Sequence, residues 1–274
     1  MIITGASNGV GAATAALFAE QGAKIAAFDI RDPPEAASDT RIDVKCNVSK
    51  EEEVIVAVKQ VVDKWGTVDV LCNIAGIADK FGNANQHRWE PSYSQLTADI
   101  ERLTETSTEQ LNNIMGVNFF GPFYLMKAVI PHFLAKPGET QGEGYMTQLP
   151  KKGAIVNVCS VAAVRGAAAG ASYTSSKHAL LGLSRNTAWM YHRDGVRCNV
   201  VIPGGIATNI MGHSGGGDRG QFVDQTGAAL LHKTQSVMPA VTMPTDTAAA
   251  IVFLAGADAV NGAELSVDHG WTAA

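Results

Sequence analysis

Short apolar runs alternate with longer periodic stretches along almost all of the 274 residues, the rhythm of repeated strand–helix–strand units. Seven runs predict strands: Met1–Ile3, Lys24–Phe28, Arg41–Cys46, Val68–Asn73, Ala154–Cys159, Arg197–Val201 and Glu264–Val267. Their apolar positions are nearly continuous, as in parallel strands covered by helices on both faces. Helices are predicted over Gly9–Glu20, Glu51–Lys64, Glu109–Leu134, Tyr173–His192 and Thr245–Leu254. This length fits one α/β domain over residues 1–274, with a single core and no repeat or linker. Because Met1–Ile3 enters the first strand at once, the pattern also points to a native start upstream of Met1.

Three stretches break the rhythm. Asp79–Thr106 is long and polar, Lys136–Lys152 is rich in Gly and Pro, and Ile206–Pro239 contains Gly215-Gly216-Gly217. The first and third follow the C-termini of predicted strands, the edge where open α/β sheets bind ligands. Both are therefore expected to be loops that shape a substrate pocket. Trp89, Tyr93, Tyr145 and Met211 lie in these irregular stretches, as pocket-lining side chains or as exposed ones.

The formal net charge of −5 offers no basic surface for a phosphate backbone, which argues against nucleic acid as a partner. No segment approaches the ~18 apolar residues of a membrane span, so no membrane association is expected. Cys46, Cys72, Cys159 and Cys198 are far apart and lie in or beside apolar runs, so they read as reduced core thiols of a cytoplasmic protein. The seven histidines show no metal-ligand spacing, and no metal is expected.

Candidate chemistry begins where the first strand runs into Thr4-Gly5-Ala6-Ser7-Asn8-Gly9-Val10-Gly11 and an alanine-rich helix. Gly5 permits a tight turn, Gly9 lets backbone approach a pyrophosphate, and Gly11 allows close packing of helix on strand. The helix N-terminus adds N–H donors for the phosphates, so Gly5, Ser7, Asn8, Gly9 and Val10 form the candidate cradle. Asp29, followed by Ile30, closes the second strand where a carboxylate would accept both adenosine ribose hydroxyls and repel a 2′-phosphate. That favours NAD. Arg31, two residues on, could reach a 2′-phosphate, and NADP stays open as the alternative.

Tyr173 and Lys177 are four residues apart on one helical face, and a neighbouring ammonium favours the phenolate of a tyrosine otherwise titrating near pH 10. Such a pair could serve as general acid/base beside a reacting oxygen; the same spacing also describes an exposed surface pair. Ser160 ends an apolar run 13 residues before Tyr173, and the intervening small residues would let a substrate approach.

With these glycines, Asn73-Ile74-Ala75-Gly76 and Tyr173…Lys177, nearly the whole chain resembles the compact branch of the short-chain dehydrogenase/reductase family. The resemblance implies a single-domain, Rossmann-type doubly wound parallel sheet of seven strands in the order 3-2-1-4-5-6-7. It implies that Asn73, Ala75 and Gly76 line the adenosine side of the cofactor and steady the central strand. Asn118 would kink the fourth helix and hold a water for proton relay, and Ser160 would hydrogen-bond the substrate oxygen. Pro203, Gly204, Ile206 and Thr208 would cup the nicotinamide, and Asn118, Ser160, Tyr173 and Lys177 would form the catalytic set. Two features depart from the pattern. Asn47-Val48 stands where the family has Asp-Val against the adenine, with an amide oxygen still able to accept the adenine amino hydrogen. The stretch before Asn118 is longer than usual by about 20 residues.

The function expected is NAD-dependent hydride transfer between nicotinamide and a small-molecule secondary alcohol or ketone. The alternatives are an NADP-dependent ketoreductase of a biosynthetic pathway and a non-catalytic dinucleotide-binding module. The family also implies a homo-oligomer, tetramer or dimer, built on the helices around Glu109–Leu134 and Tyr173–His192.

Overall fold

Each apolar run becomes a strand in a computed structural model of the chain, which describes residues 1–32, 38–78, 102–139, 141, 149–208 and 225–273. The strands are β1 (Ile2–Thr4), β2 (Ile25–Asp29), β3 (Arg41–Lys45), β4 (Val70–Asn73), β5 (Gly153–Val158), β6 (Val196–Pro203) and β7 (Glu264–Val267). They form one sheet in the order β3-β2-β1-β4-β5-β6-β7, with every pairing parallel. The expected topology is the one observed.

The near-continuous apolar runs have a direct physical reason. Successive side chains of a strand point to opposite faces, and both faces here are covered. Ile2, Ala26, Leu71 and Ile155 pack with α2 (Glu51–Trp65) and α4 (Gly121–Leu134). Their neighbours Ile3, Ala27, Cys72 and Val156 pack on the other face with α1 (Gly9–Glu20) and α7 (Pro244–Gly256). Strand order reverses on either side of β1, which opens a crevice at the C-terminal ends of β1 and β4.

Three elements differ from expectation. The helix expected over Glu109–Leu134 consists of α3 (Thr108–Met115), a π-helical turn at Gly116–Phe120, and α4. Within that turn the Gly121 N–H bonds to the Gly116 carbonyl, five residues back. The continuous run Thr108–Leu134 also contains an 18-residue window of mean hydropathy 1.2, long and apolar enough to cross a membrane by length and composition. This corrects the expectation that no segment approaches that limit; Leu125, Met126, Val129, Ile130 and Phe133 of the run are buried in the sheet core.

The stretch Ile206–Pro239, expected as loop, contains α6 (Gln225–Gln235). Its two ends are tied: Ile206 forms a parallel bridge with Thr242, and the Thr242 N–H donates to the Gly205 carbonyl at 2.8 Å. The helix expected over Tyr173–His192 is α5 (Ala171–Met190) followed by a short 3-10 turn, His192–Asp194. Residues 79–101, 142–148 and 209–224, with Trp89, Tyr93, Tyr145 and Met211, lie outside the described residues. All four cysteines are buried and free.

Candidate active site

The glycine turn is built by contacts that leave no room for side chains. Gly5 has φ +66°, and a Cβ there would lie 3.1 Å from the Ala75 Cα. A Cβ on Gly11 would lie 2.1 Å from the Gly5 carbonyl oxygen, so only glycine lets α1 start this close to β1. Gly9 has φ +54° and faces Thr208, whose Cγ2 would be 3.2 Å from an added Cβ. The turn after β1 and the segment after β6 therefore meet across the crevice.

Ser7 and Asn8 are exposed at the mouth, and Asn8 accepts the Gly9 N–H at 2.8 Å. Val10 is buried under the helix start. Asp29 orders this end of the site: one carboxylate oxygen accepts the Ser7 N–H at 3.0 Å, the other the Arg31 N–H at 3.1 Å. Ile30, between them, is 63% exposed. An aromatic ring lying against the mouth would meet an apolar side chain there.

On the third-strand side the expectation is modified. The Asn47 side-chain oxygen accepts both the N–H and the hydroxyl of Ser49, at 3.1 and 2.8 Å, shaping the entry to α2. That acceptor is already engaged in a local turn, which weakens its claim on an adenine amino group. Val48 is buried against Gly121, where a Cβ would approach its Cγ2 to 2.9 Å.

The fourth-strand segment divides its roles. Asn73 is buried and donates to the Asn157 side-chain oxygen at 2.8 Å, between registered neighbours on β4 and β5. Asn157 donates in turn to the Ser184 hydroxyl at 2.8 Å. Asn73 thus faces the sheet interior rather than the crevice mouth. Thr4 holds the continuation of the strand, its hydroxyl accepting the N–H groups of Ile74 and Ala75, both at 2.9 Å. Gly76 is where the chemistry converges: a Cβ there would lie 3.4 Å from Asn118 Oδ1 and 3.6 Å from Lys177 Nζ.

Asn118 sits in the π turn and is fully buried. Its amide pairs with both backbone groups of Ile77, Oδ1 accepting the N–H and Nδ2 donating to the carbonyl, each at 2.9 Å. Lys177 is also buried and donates to the Val158 carbonyl at 3.0 Å. Its Nζ lies 5.5 Å from the centroid of the Tyr173 ring. Burial pushes its pKa down from the ordinary 10.5.

Tyr173 and Ser160 are half-buried in front of this pair. The Ser160 hydroxyl accepts the Ala162 N–H at 3.1 Å, which fixes it at the start of a 3-10 turn, Val161–Ala163, and leaves its own proton for donation. Pro203 ends β6; the Gly204 N–H bonds to the Val267 carbonyl, and Gly204 packs against Asp268.

These residues fit a dinucleotide. Gly5, Gly9 and Gly11 keep side chains out of the turn at three positions, a helix N-terminus faces it, and Thr208 closes over Gly9. Thr4, Ser176, Asn157 and Ser184 are polar contributors that sequence reasoning missed. Asn157 carried a visible signal, an amide inside the apolar run Ile155–Val158. Among the described residues no group of three or more His, Cys, Asp or Glu could hold a metal ion.

A family model described as Enoyl-(Acyl carrier protein) reductase matches residues 5–272. A short-chain dehydrogenase/reductase of Penicillium canescens is 32% identical, covering 99% of this chain and 96% of its own. Asnovolin H dehydrogenase of Aspergillus novofumigatus is 30% identical over the same shares. Among solved structures, 3-ketoacyl-(acyl-carrier-protein) reductase from Brucella melitensis, complexed with NADH, is similar with a TM-score of 0.75 and 26% identity. That match covers 99% of this chain and 97% of the other. A structure titled ElxO with NADP bound gives 0.73 and 25%, covering 100% and 98%.

Proposed function

This chain belongs to the short-chain dehydrogenase/reductase family, and from that premise we propose that it interconverts a secondary alcohol and a ketone with NAD, using Tyr173 as general acid/base. The observation that carries the reading is the convergence of Lys177, Asn118 and Gly76 behind the half-buried Tyr173. Bound nicotinamide supplies the two-electron acceptor or donor. The chain's own part is to move the proton and hold the oxygen.

In the oxidative direction Ser160 donates a hydrogen bond to the substrate oxygen while Tyr173 takes its proton. The Lys177 ammonium lowers the cost of charge on the phenol. Reduction runs the same proton the other way. Gly5, Ser7, Asn8, Gly9 and Val10 would hold the phosphates, Ala75 and Gly76 the adenosine side, and Gly204, Ile206 and Thr208 the nicotinamide end. Asp29, at the end of β2, would accept the ribose hydroxyls and disfavour a 2′-phosphate.

A second reading is an NADP-dependent ketoreductase of a biosynthetic pathway. It is supported by the relative named Asnovolin H dehydrogenase, the NADP-bound neighbour and Arg31 beside Asp29. Exposed Phe120 and Phe123, with Trp189 and Met190 on α5, support self-association as a dimer or tetramer. Buried free thiols support a reducing, cytoplasmic compartment.

The test is turnover of a panel of secondary alcohols and ketones with NAD(H) and NADP(H), for wild type, Tyr173→Phe and Asp29→Asn. Tyr173→Phe is expected to lose turnover and keep dinucleotide affinity; full activity in that variant would sink the mechanism. Asp29→Asn is expected to narrow a wild-type preference for NAD. A wild type that favours NADP supports the second reading, and dinucleotide binding without turnover supports a binding module.

A further inference from the structure

The Asn118 amide has two hydrogens and an acceptor oxygen, and all are engaged within a fully buried site. Ile77 takes one hydrogen and supplies a donor to the oxygen; the other hydrogen goes to the Ser176 hydroxyl at 3.0 Å. Ser176, equally buried, cannot return that bond with the same lone pair and instead donates its own proton to the Tyr173 carbonyl at 2.8 Å. The Ser176 hydroxyl thus joins the π turn to the helical turn that carries Tyr173 and Lys177, and the Asn118 amide it meets extends the connection to the segment after β4. A serine hydroxyl bonded to the carbonyl three residues back also biases the local bend of a helix.

We propose that Ser176 is a positioning residue, a strut that sets the Tyr173–Lys177 turn against Asn118 and Gly76 without touching substrate or cofactor. It rests on the reading of Tyr173 as the acid/base. An alanine at this position leaves one Asn118 hydrogen without a partner and the Tyr173 carbonyl without its side-chain donor. No crevice atom is removed.

Two readouts test it on the full chain. In steady-state kinetics Ser176→Ala is expected to lower kcat by about 10- to 100-fold, the scale of a small misplacement of reacting groups, with KM and dinucleotide affinity changed by less than about twofold. The pH–rate profile should shift with it, because the Tyr–Lys geometry sets the phenol's acidity. Ser176→Thr, which keeps the hydroxyl, should recover most of the loss. The second readout needs no turnover: amide hydrogen exchange at Ile77 should accelerate in Ser176→Ala, since its N–H is held by the Asn118 oxygen.

Unchanged kcat together with unchanged Ile77 exchange overturns the strut. So does a loss in which kcat, KM and dinucleotide affinity fall together, which is general damage. A wild type inactive on every substrate fails the functional reading instead, and the exchange measurement then decides the strut alone.

Discussion

Lys177 carries the largest electrostatic tension at the scale of single residues. Its ammonium is buried, donates to a neutral carbonyl and belongs to none of the ion pairs among the described residues. Burial therefore holds its pKa below the ordinary 10.5. The unfolded chain keeps that proton up to about pH 10.5, whereas the folded chain releases it earlier, so stability rises with pH across the window between the two values. Below that window the full cost of burying the charge is present. Cys159, beside it, is pushed up to about 12 by its own burial and stays a neutral thiol throughout. Relative to Lys177→Met, the urea midpoint of the wild-type protein should therefore climb as the pH is raised toward the ordinary lysine value of 10.5. Parallel profiles for the two proteins would mean that the amine is already solvated or paired. The tension has a use in the proposed reaction: a phenolate formed at Tyr173 would be the counter-charge that the amine lacks.

The π turn decides the geometry at the scale of elements, and it marks where apolar periodicity stopped being informative, although the family resemblance implied a kink at Asn118, which lies within it. Apolar periodicity gave α1 its bounds and placed all seven strands to within a few residues, because burial on two faces imposes continuous apolar runs. It could not reveal the π turn, since Gly116–Phe120 continues the apolar pattern across the break. It also missed α6, in which Leu231 is a buried large side chain and no strong stripe forms. Glycine spacing and Asp29 were readable as local patterns. Ser176 to Asn118 and Asn73 to Asn157 were not, because each bond joins residues 58 and 84 positions apart. The break also depends on close packing of α4 on the segment after β3. Gly121→Ala would drive a methyl to 2.9 Å from Val48 Cγ2 and should cost about 1–3 kcal/mol in urea denaturation. The same change in a Val48→Ala background should cost markedly less, giving a favourable coupling energy. An equal cost in both backgrounds would refute the contact as the cause.

At the scale of the whole molecule, the candidate site belongs to no single element: residues from Gly5 to Thr208 reach it from the ends of β1, β2, β4, β5 and β6. A ligand bound there bridges both halves of the sheet, which pair through β1 and β4 alone. The β1–β4 register is short, with Ile2 opposite Leu71 and Ile3 opposite Cys72. Thr4 extends the connection by binding the backbone of Ile74 and Ala75. Dinucleotide binding should therefore stabilise the whole chain as one unit, by about 2.7 kcal/mol at roughly 100 times Kd. It should also slow amide exchange at both 4–11 and 204–208, segments that meet where Gly9 faces Thr208. The comparison that tests this is hydrogen exchange with and without NAD, read beside thermal unfolding. Protection confined to 4–11, with no rise in midpoint, would mean that the ligand rests on the glycine turn alone. Thr4→Val separates the two contributions: its side chain fits the same buried space but offers the Ile74 and Ala75 amides no acceptor. That variant should lower the apo midpoint, leave the glycine turn intact, and recover part of the lost stability when NAD spans the crevice.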